Sequence, residues 1–240
     1  MHRGIVFYRG PSVLDPATDI VAVATLQSDN RKTGNMIQTW ILRTDRSPVE
    51  AIMDGTDAAI CGDCRHRGVP KPKGARISPV PRTCYVNVGQ APQAVYRAWQ
   101  RGRYRPGTML EVASLGRPVR LGAYGDPVAV PWQAWEGIHL APRWTGYTHQ
   151  WRRIEAAPFK GIVMASCDSV REAMDAATEG WRTFLVRAVD TRVPDGMIPC
   201  PAVDRGASCG TCGLCNGNES WKAPNVTIEA HGSAAAFVGS

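Results

Sequence analysis

The stretch Gly161-Ile162-Val163-Met164-Ala165-Ser166-Cys167-Asp168-Ser169, together with residues 170–188, sets the fold class. A short apolar run closing on polar residues reads as a buried strand. Ser169 has the side chain of a helix N-cap, residues 170–178 read as a helix, and Gly180 stops it. Trp181-Arg182-Thr183-Phe184-Leu185-Val186-Arg187-Ala188 is a second apolar strand. Strand, helix, strand in that order predicts parallel neighbours in an α/β sheet.

The pattern extends toward the N-terminus. Residues 118–123 read as a strand leading into Tyr124-Gly125-Asp126-Pro127, where the proline pushes Asp126 away from helix and onto a defined turn. Residues 131–137 are a Trp/Pro-rich helix candidate, and Trp144-Thr145-Gly146-Tyr147-Thr148-His149-Gln150-Trp151 is aromatic with a polar end. Further upstream, residues 92–102 carry a helical apolar spacing that ends at Gly102, and residues 4–8, 19–26 and 36–42 are short β-branched strands. The basic loop 28–35 offers Lys32 and backbone N–H groups to a phosphate. It lacks a second glycine at Walker spacing and precedes a strand, so a hairpin connection is the favoured reading.

Reactive residues of parallel α/β sheets gather at the C-terminal ends of the strands. Asp126, His149 and Asp168 each lie just past such an end and are expected to converge on one pocket. Two carboxylates there allow a nucleophile, taken as Asp126, and a proton-transfer group, taken as Asp168. Tyr124 and Tyr147 would wall the pocket for a flat base, with Gly125 in the substrate-binding turn.

Cysteine supplies the second theme. Near the C-terminus stand Cys200, then Cys209-Gly210-Thr211-Cys212-Gly213-Leu214-Cys215, then His231. Thiolates at this spacing are a metal-ligand set. Cys209, Cys212, Cys215 and His231 complete tetrahedral zinc, and Cys200 offers a different fourth ligand. An iron–sulfur cluster is the alternative, because the same spacing holds clusters. A second C-x-x-C, Cys61-Gly62-Asp63-Cys64, is succeeded by His66 and Cys84, and these four could make another metal site.

At 240 residues the chain is long enough for one sizeable core, read as a single domain 1–240 in which residues 200–232 form a Cys/His metal-binding segment. No apolar run reaches the roughly 20 residues of a membrane span, and the start has no signal-peptide core, so a cytoplasmic protein with no membrane partner is expected. In a reducing compartment eight cysteines read as ligands rather than disulfides. The net charge of +7, carried mainly by arginine, fits a nucleic-acid substrate.

Taken in order, Asn30–Asn35, Cys61-Gly62-Asp63-Cys64, Cys84-Tyr85, Gly122–Pro127, Thr145–Gln150, Cys200-Pro201, the terminal cysteines and His231-Gly232 resemble a group of small bacteriophage proteins. That group is related to the phage DNA-guanine transglycosylases, distant relatives of the tRNA-guanine transglycosylases. The resemblance implies a trimmed or irregular TIM-barrel-like parallel sheet. It implies replacement of guanine in DNA by a free 7-deazaguanine base through an aspartate nucleophile, and a structural zinc held by three cysteines and a histidine. The glycine-rich substrate motif and nucleophile motif of the tRNA enzymes are not recognisable here, so Asp126 takes the nucleophile role from its strand-end position. Two other expectations stand beside this one: a non-catalytic, metal-stabilised nucleic-acid-binding module, and an iron–sulfur enzyme of radical type.

Overall fold

The structure, a computed structural model, describes residues 3–27, 33–220 and 223–230. Ten strands form one sheet: β1 Gly4–Pro11, β2 Asp19–Thr25, β3 Ile37–Arg43, β4 Arg105–Pro106, β5 Val119–Tyr124, β6 Trp144–Thr148, β7 Met164–Cys167, β8 Thr183–Arg187, β9 Met197–Pro199 and β10 Asn225–Glu229. Their spatial order is β4-β1-β2-β3-β5-β6-β7-β8-β10-β9. The β1–β2 and β2–β3 pairs are antiparallel, and every pair from β3 to β9 is parallel. The expected mixed α/β class with a mostly parallel sheet is therefore present. The ladder has two ends, β4 and β9, and among the described residues no pairing joins them.

The strand–helix–strand unit of residues 161–188 forms as expected. Val170–Thr178 is an α-helix whose N-cap Ser169 accepts a hydrogen bond from the Glu172 amide at 3.1 Å, while the Glu172 carboxylate accepts one from the Asp168 amide at 2.8 Å. These reciprocal bonds fix the backbone where Asp168 leaves β7. The helix expected over 131–137 is instead a 3₁₀ turn, Trp132–Trp135. Pro131 starts it and Gly137, at φ 92°, reverses the chain two residues after it ends, leaving too little length for α-helical bonding. The crossover from β6 to β7 is also a 3₁₀ segment, Ile154–Gly161.

Both faces of the parallel sheet are covered, as a parallel sheet requires. On one face Leu121, Ala123, Ala165, Cys167 and Leu185 join the main core with Ala173 and Ala176 of the helix, Trp135 and Phe159. The register pairs Tyr147 with Met164, Ser166 with Phe184, Phe184 with Val226, and Val226 with Ile198, so these residues share the opposite face. There Met164, Phe184 and Val226 form a second cluster with Cys215, flanked by Tyr147, Ile198, Cys200 and Leu214. The C-terminal cysteine segment thus closes one face of the sheet. No helix among the described residues is long and apolar enough to cross a membrane.

Candidate functional site

The three strand-end residues meet. Asp126 lies just past β5 and caps the 3₁₀ turn Pro127–Ala129. Its Oδ1 accepts hydrogen bonds from the Val128 amide at 3.0 Å and the Thr148 hydroxyl at 2.8 Å, and its Oδ2 accepts from the His149 amide at 2.9 Å. The Gln150 amide adds a further donor. Burial lifts its carboxyl to about 6, and these donors oppose the rise. With both oxygens occupied, Asp126 ties the end of β5 to the turn after β6. Its own amide donates to the Ile60 carbonyl at 2.7 Å and so brings in the short helix Ala58–Cys61. Gly125 serves the same geometry: it stands at φ 82°, and a Cβ there would meet the Ile41 Cβ at 2.7 Å.

Asp168 lies between two imidazoles. His66 Nε2 pairs with its Oδ1 at 2.7 Å, and His149 Nε2 stands 4.0 Å from its Oδ2. The two rings meet edge to face with centroids 5.5 Å apart. The Thr83 hydroxyl holds His66 Nδ1 at 2.6 Å, which fixes the ring's orientation. Burial works against the Asp168 anion, but the His66 hydrogen bond and the neighbouring positive charges outweigh it and keep the carboxyl below its ordinary range. Burial also drives His149 down to about 4, so it is uncharged at neutral pH, and its Nε2 makes no hydrogen bond. One ligand atom each from His66, His149 and Asp168 falls within 4.8 Å of the others, so this trio could also hold a divalent cation.

The first cysteine turn is clamped onto the same strand ends. Cys61 closes the short helix Ala58–Cys61, and Gly62 comes next at φ 55°. Gln150 spans the turn: its Nε2 donates to the Cys61 carbonyl at 3.0 Å, and its Oε1 accepts from the Asp63 amide at 3.3 Å. Arg67 closes the other side, donating to Asp57 Oδ1 at 2.7 Å, the Gly62 carbonyl at 3.0 Å and the Gly55 carbonyl at 2.7 Å. The amides of Thr83 and Cys84 donate to the His66 carbonyl at 3.1 and 3.0 Å, strapping Cys84 to this loop. No disulfide joins any of the eight cysteines, all of which lie among the described residues.

The C-terminal set is described only in part. His231 lies outside the described residues, so the structure gives no account of it as a ligand. Cys200 packs beside Cys215 in the second apolar cluster. Burial, and then the charges of Cys200, Cys209 and Cys212, act on the Cys215 thiol, which is pushed up to about 12 against a hydrogen bond from Tyr147. Cys200 is set there by its amide, which donates to the Thr227 carbonyl of β10 at 2.8 Å. Among the described residues the one group of three or more His, Cys, Asp or Glu ligand atoms within 4.8 Å of one another is His66, His149 and Asp168, and these thiols are not part of such a group.

The two tyrosines part company. Tyr147 packs on Phe184 with ring centroids 4.4 Å apart and bonds Cys215, so it belongs to the C-terminal cluster. Tyr124 is buried, and its hydroxyl has no hydrogen-bond partner. Sequence reading missed the roles of His66, Thr148 and Gln150 in the cluster. Thr148 and Gln150 flank His149 in an unusually polar strand end, a signal that was available. The pairing of His66 with Asp168 spans 102 positions and left none. Comparison with protein-family models, curated proteins and solved structures gave no match.

Proposed function

We propose that the chain is a DNA base-exchange enzyme of the transglycosylase type, acting at the cluster of His66, His149 and Asp168. The observation that carries this reading is the Asp168 carboxylate, kept ionised at the end of β7 by His66 and flanked by an uncharged His149. An ionised, oriented carboxylate is what attack on an anomeric carbon needs. Asp168 rather than Asp126 is therefore the nucleophile. It bonds to C1′ of a deoxyguanosine while the bond to guanine breaks, and the incoming 7-deazaguanine later displaces the carboxylate. The departing guanine takes its proton from solvent, and His149, uncharged, is placed to accept the proton that the incoming base gives up. Asp126 is the positioning residue, since its oxygens hold the backbone that carries His149.

The net charge of +7 suits a polyanionic substrate. The parallel run β3, β5, β6, β7, β8 and β10 is read as a trimmed barrel, with the strand ends at its mouth. A structural zinc would be held by Cys209, Cys212 and Cys215, with His231 or Cys200 as the fourth ligand. Such a site has no open position, so its contribution is to hold the sheet face rather than to act in the reaction. The test is incubation of the protein with DNA and labelled 7-deazaguanine, with nucleoside analysis of the product. Label should enter the DNA with wild type and fall by about a thousandfold or more with Asp168→Asn. No incorporation by wild type, or undiminished incorporation by that variant, overturns the proposal.

A further inference from the structure

We propose that His66, His149 and Asp168 form a binding site for a divalent transition-metal ion, in which two imidazole nitrogens and one carboxylate take three positions and the rest stay open to water or a ligand. The site stands on its own geometry and needs no part of the base-exchange reading. One consequence does rest on that reading: the ion and the attack on C1′ draw on the same Asp168 carboxylate, so an ion bound here inhibits the exchange.

Three separate segments deliver the ligands to one place. His66 stands in the 3₁₀ turn Arg65–Arg67, His149 directly follows β6, and Asp168 directly follows β7. Strands β6 and β7 are parallel neighbours, so His149 and Asp168 leave the sheet at the same end. One ligand atom from each of the three lies within 4.8 Å of the other two. Metal–ligand bonds of about 2.0–2.2 Å in a tetrahedral shell put neighbouring ligand atoms about 3.3–3.6 Å apart. His66 Nε2 is 2.7 Å from Asp168 Oδ1, and His149 Nε2 is 4.0 Å from Oδ2, so the two spacings fall on either side of that value. Each differs from it by less than about 1 Å, a shift that side-chain torsions can supply. On binding, the ion replaces the proton shared by His66 Nε2 and Asp168, and that proton goes to solvent.

His149 is the second support. Its Nε2 is buried and has no hydrogen-bond partner among the described residues, although it faces a carboxylate. Buried polar atoms in folded proteins are nearly always paired. An ion between His149 and Asp168 would give this nitrogen its missing partner. All three ligands are also held from behind, which is how metal ligands are oriented. The Thr83 hydroxyl bonds His66 Nδ1 at 2.6 Å, the Asp168 amide donates to Glu172 Oε2 at 2.8 Å, and the His149 amide donates to Asp126 Oδ2 at 2.9 Å. The donor set decides the class of ion. Two imidazoles and one carboxylate suit Mn²⁺, Fe²⁺, Co²⁺ or Zn²⁺, whereas Mg²⁺ and Ca²⁺ are bound through oxygen. Three protein ligands leave at least one position open.

The experiment uses the full-length protein, dialysed against a weak chelator and then buffer, with Mn²⁺ as the probe. Mn²⁺ favours nitrogen and oxygen donors over thiolates, so the cysteines do not compete for it. Free Mn²⁺ is followed by its EPR signal in solution. Wild type should remove one equivalent of that signal, and about a tenfold excess of Mg²⁺ should not restore it. His149→Ala and Asp168→Asn should each weaken binding by about tenfold or more. A second measurement needs no variant to fold: the imidazole NMR signals of wild type during the Mn²⁺ titration. The His66 and His149 signals should broaden away first, while His139, stacked on Trp144 at the other end of β6, persists. No loss of free Mn²⁺ on adding wild type, displacement by Mg²⁺, equal binding by wild type and both variants, or equal broadening of His139 overturns the inference. Neither measurement uses DNA or a base, so failure here is distinct from failure of the exchange assay.

Discussion

Gly62→Ala is the sharpest test of how the first cysteine turn is held. Gly62 stands at φ 55° and ψ −133°, a backbone conformation that costs an alanine about 1–3 kcal/mol. The added Cβ would lie 2.3 Å from Gln150 Oε1 and 2.5 Å from its Cδ, so the amide must leave. On leaving, Gln150 gives up hydrogen bonds with the Cys61 carbonyl, the Asp63 amide and Arg153 Nε. Three bonds at about 0.5–1.5 kcal/mol each add roughly 2–4 kcal/mol. The total is about 3–7 kcal/mol. Gly180→Ala is the control, since it also sits at positive φ, 82°, but its Cβ would meet nothing within 4 Å. Its cost is the backbone term alone, about 1–2 kcal/mol. Urea unfolding at neutral pH should give a midpoint for Gly62→Ala well below that of Gly180→Ala. Equal midpoints would show that Gln150 does not clamp the turn.

Other measurements test the same geometry. Asp126 has a folded pKa of about 6 against an ordinary 3.8, so its stabilising contribution is full below 3.8 and is lost as pH rises through 6. Asp126→Asn should flatten that part of the stability–pH profile by about 2 kcal/mol between pH 4.5 and 7.5, read by urea unfolding at those two values; an unchanged slope would contradict the assignment. Asp168 has the opposite sign: its depressed carboxyl stabilises above the unfolded value, and that stability is lost as pH falls through the folded one. His66→Ala should remove this acid-side dependence and cost about 2–4 kcal/mol at pH 7, measured by the same titration. Phe184→Ala should cost about 3–5 kcal/mol by thermal or urea unfolding, because it empties the cluster of Met164, Val226 and Cys215 that seals one sheet face.

Much of the fold was legible locally. Residues 161–188 announce strand, helix and strand through apolar runs, an N-cap serine and a stopping glycine, and the structure has β7, the helix Val170–Thr178 and β8 there. The 131–137 segment reads as a Trp/Pro-rich helix candidate, whereas Pro131 and Gly137 leave room only for a 3₁₀ turn. Strands β4 and β9 are two and three residues long, too short for any periodicity to show.

The site divides along the same line. Sequence alone determined that Asp126, His149 and Asp168 end strands, and that the cysteines come in two groups, because strand ends and C-x-x-C turns are written in neighbouring residues. Only the tertiary structure decided what each does. It tied the Asp126 oxygens to the turn after β6, gave Asp168 to His66 and brought Cys200 to Cys215. It also strapped Cys84 to the His66 carbonyl and left the Tyr124 hydroxyl without a partner. Those outcomes depend on burial and on contacts between distant segments. Both arise when the sheet assembles, and neither has a local signature.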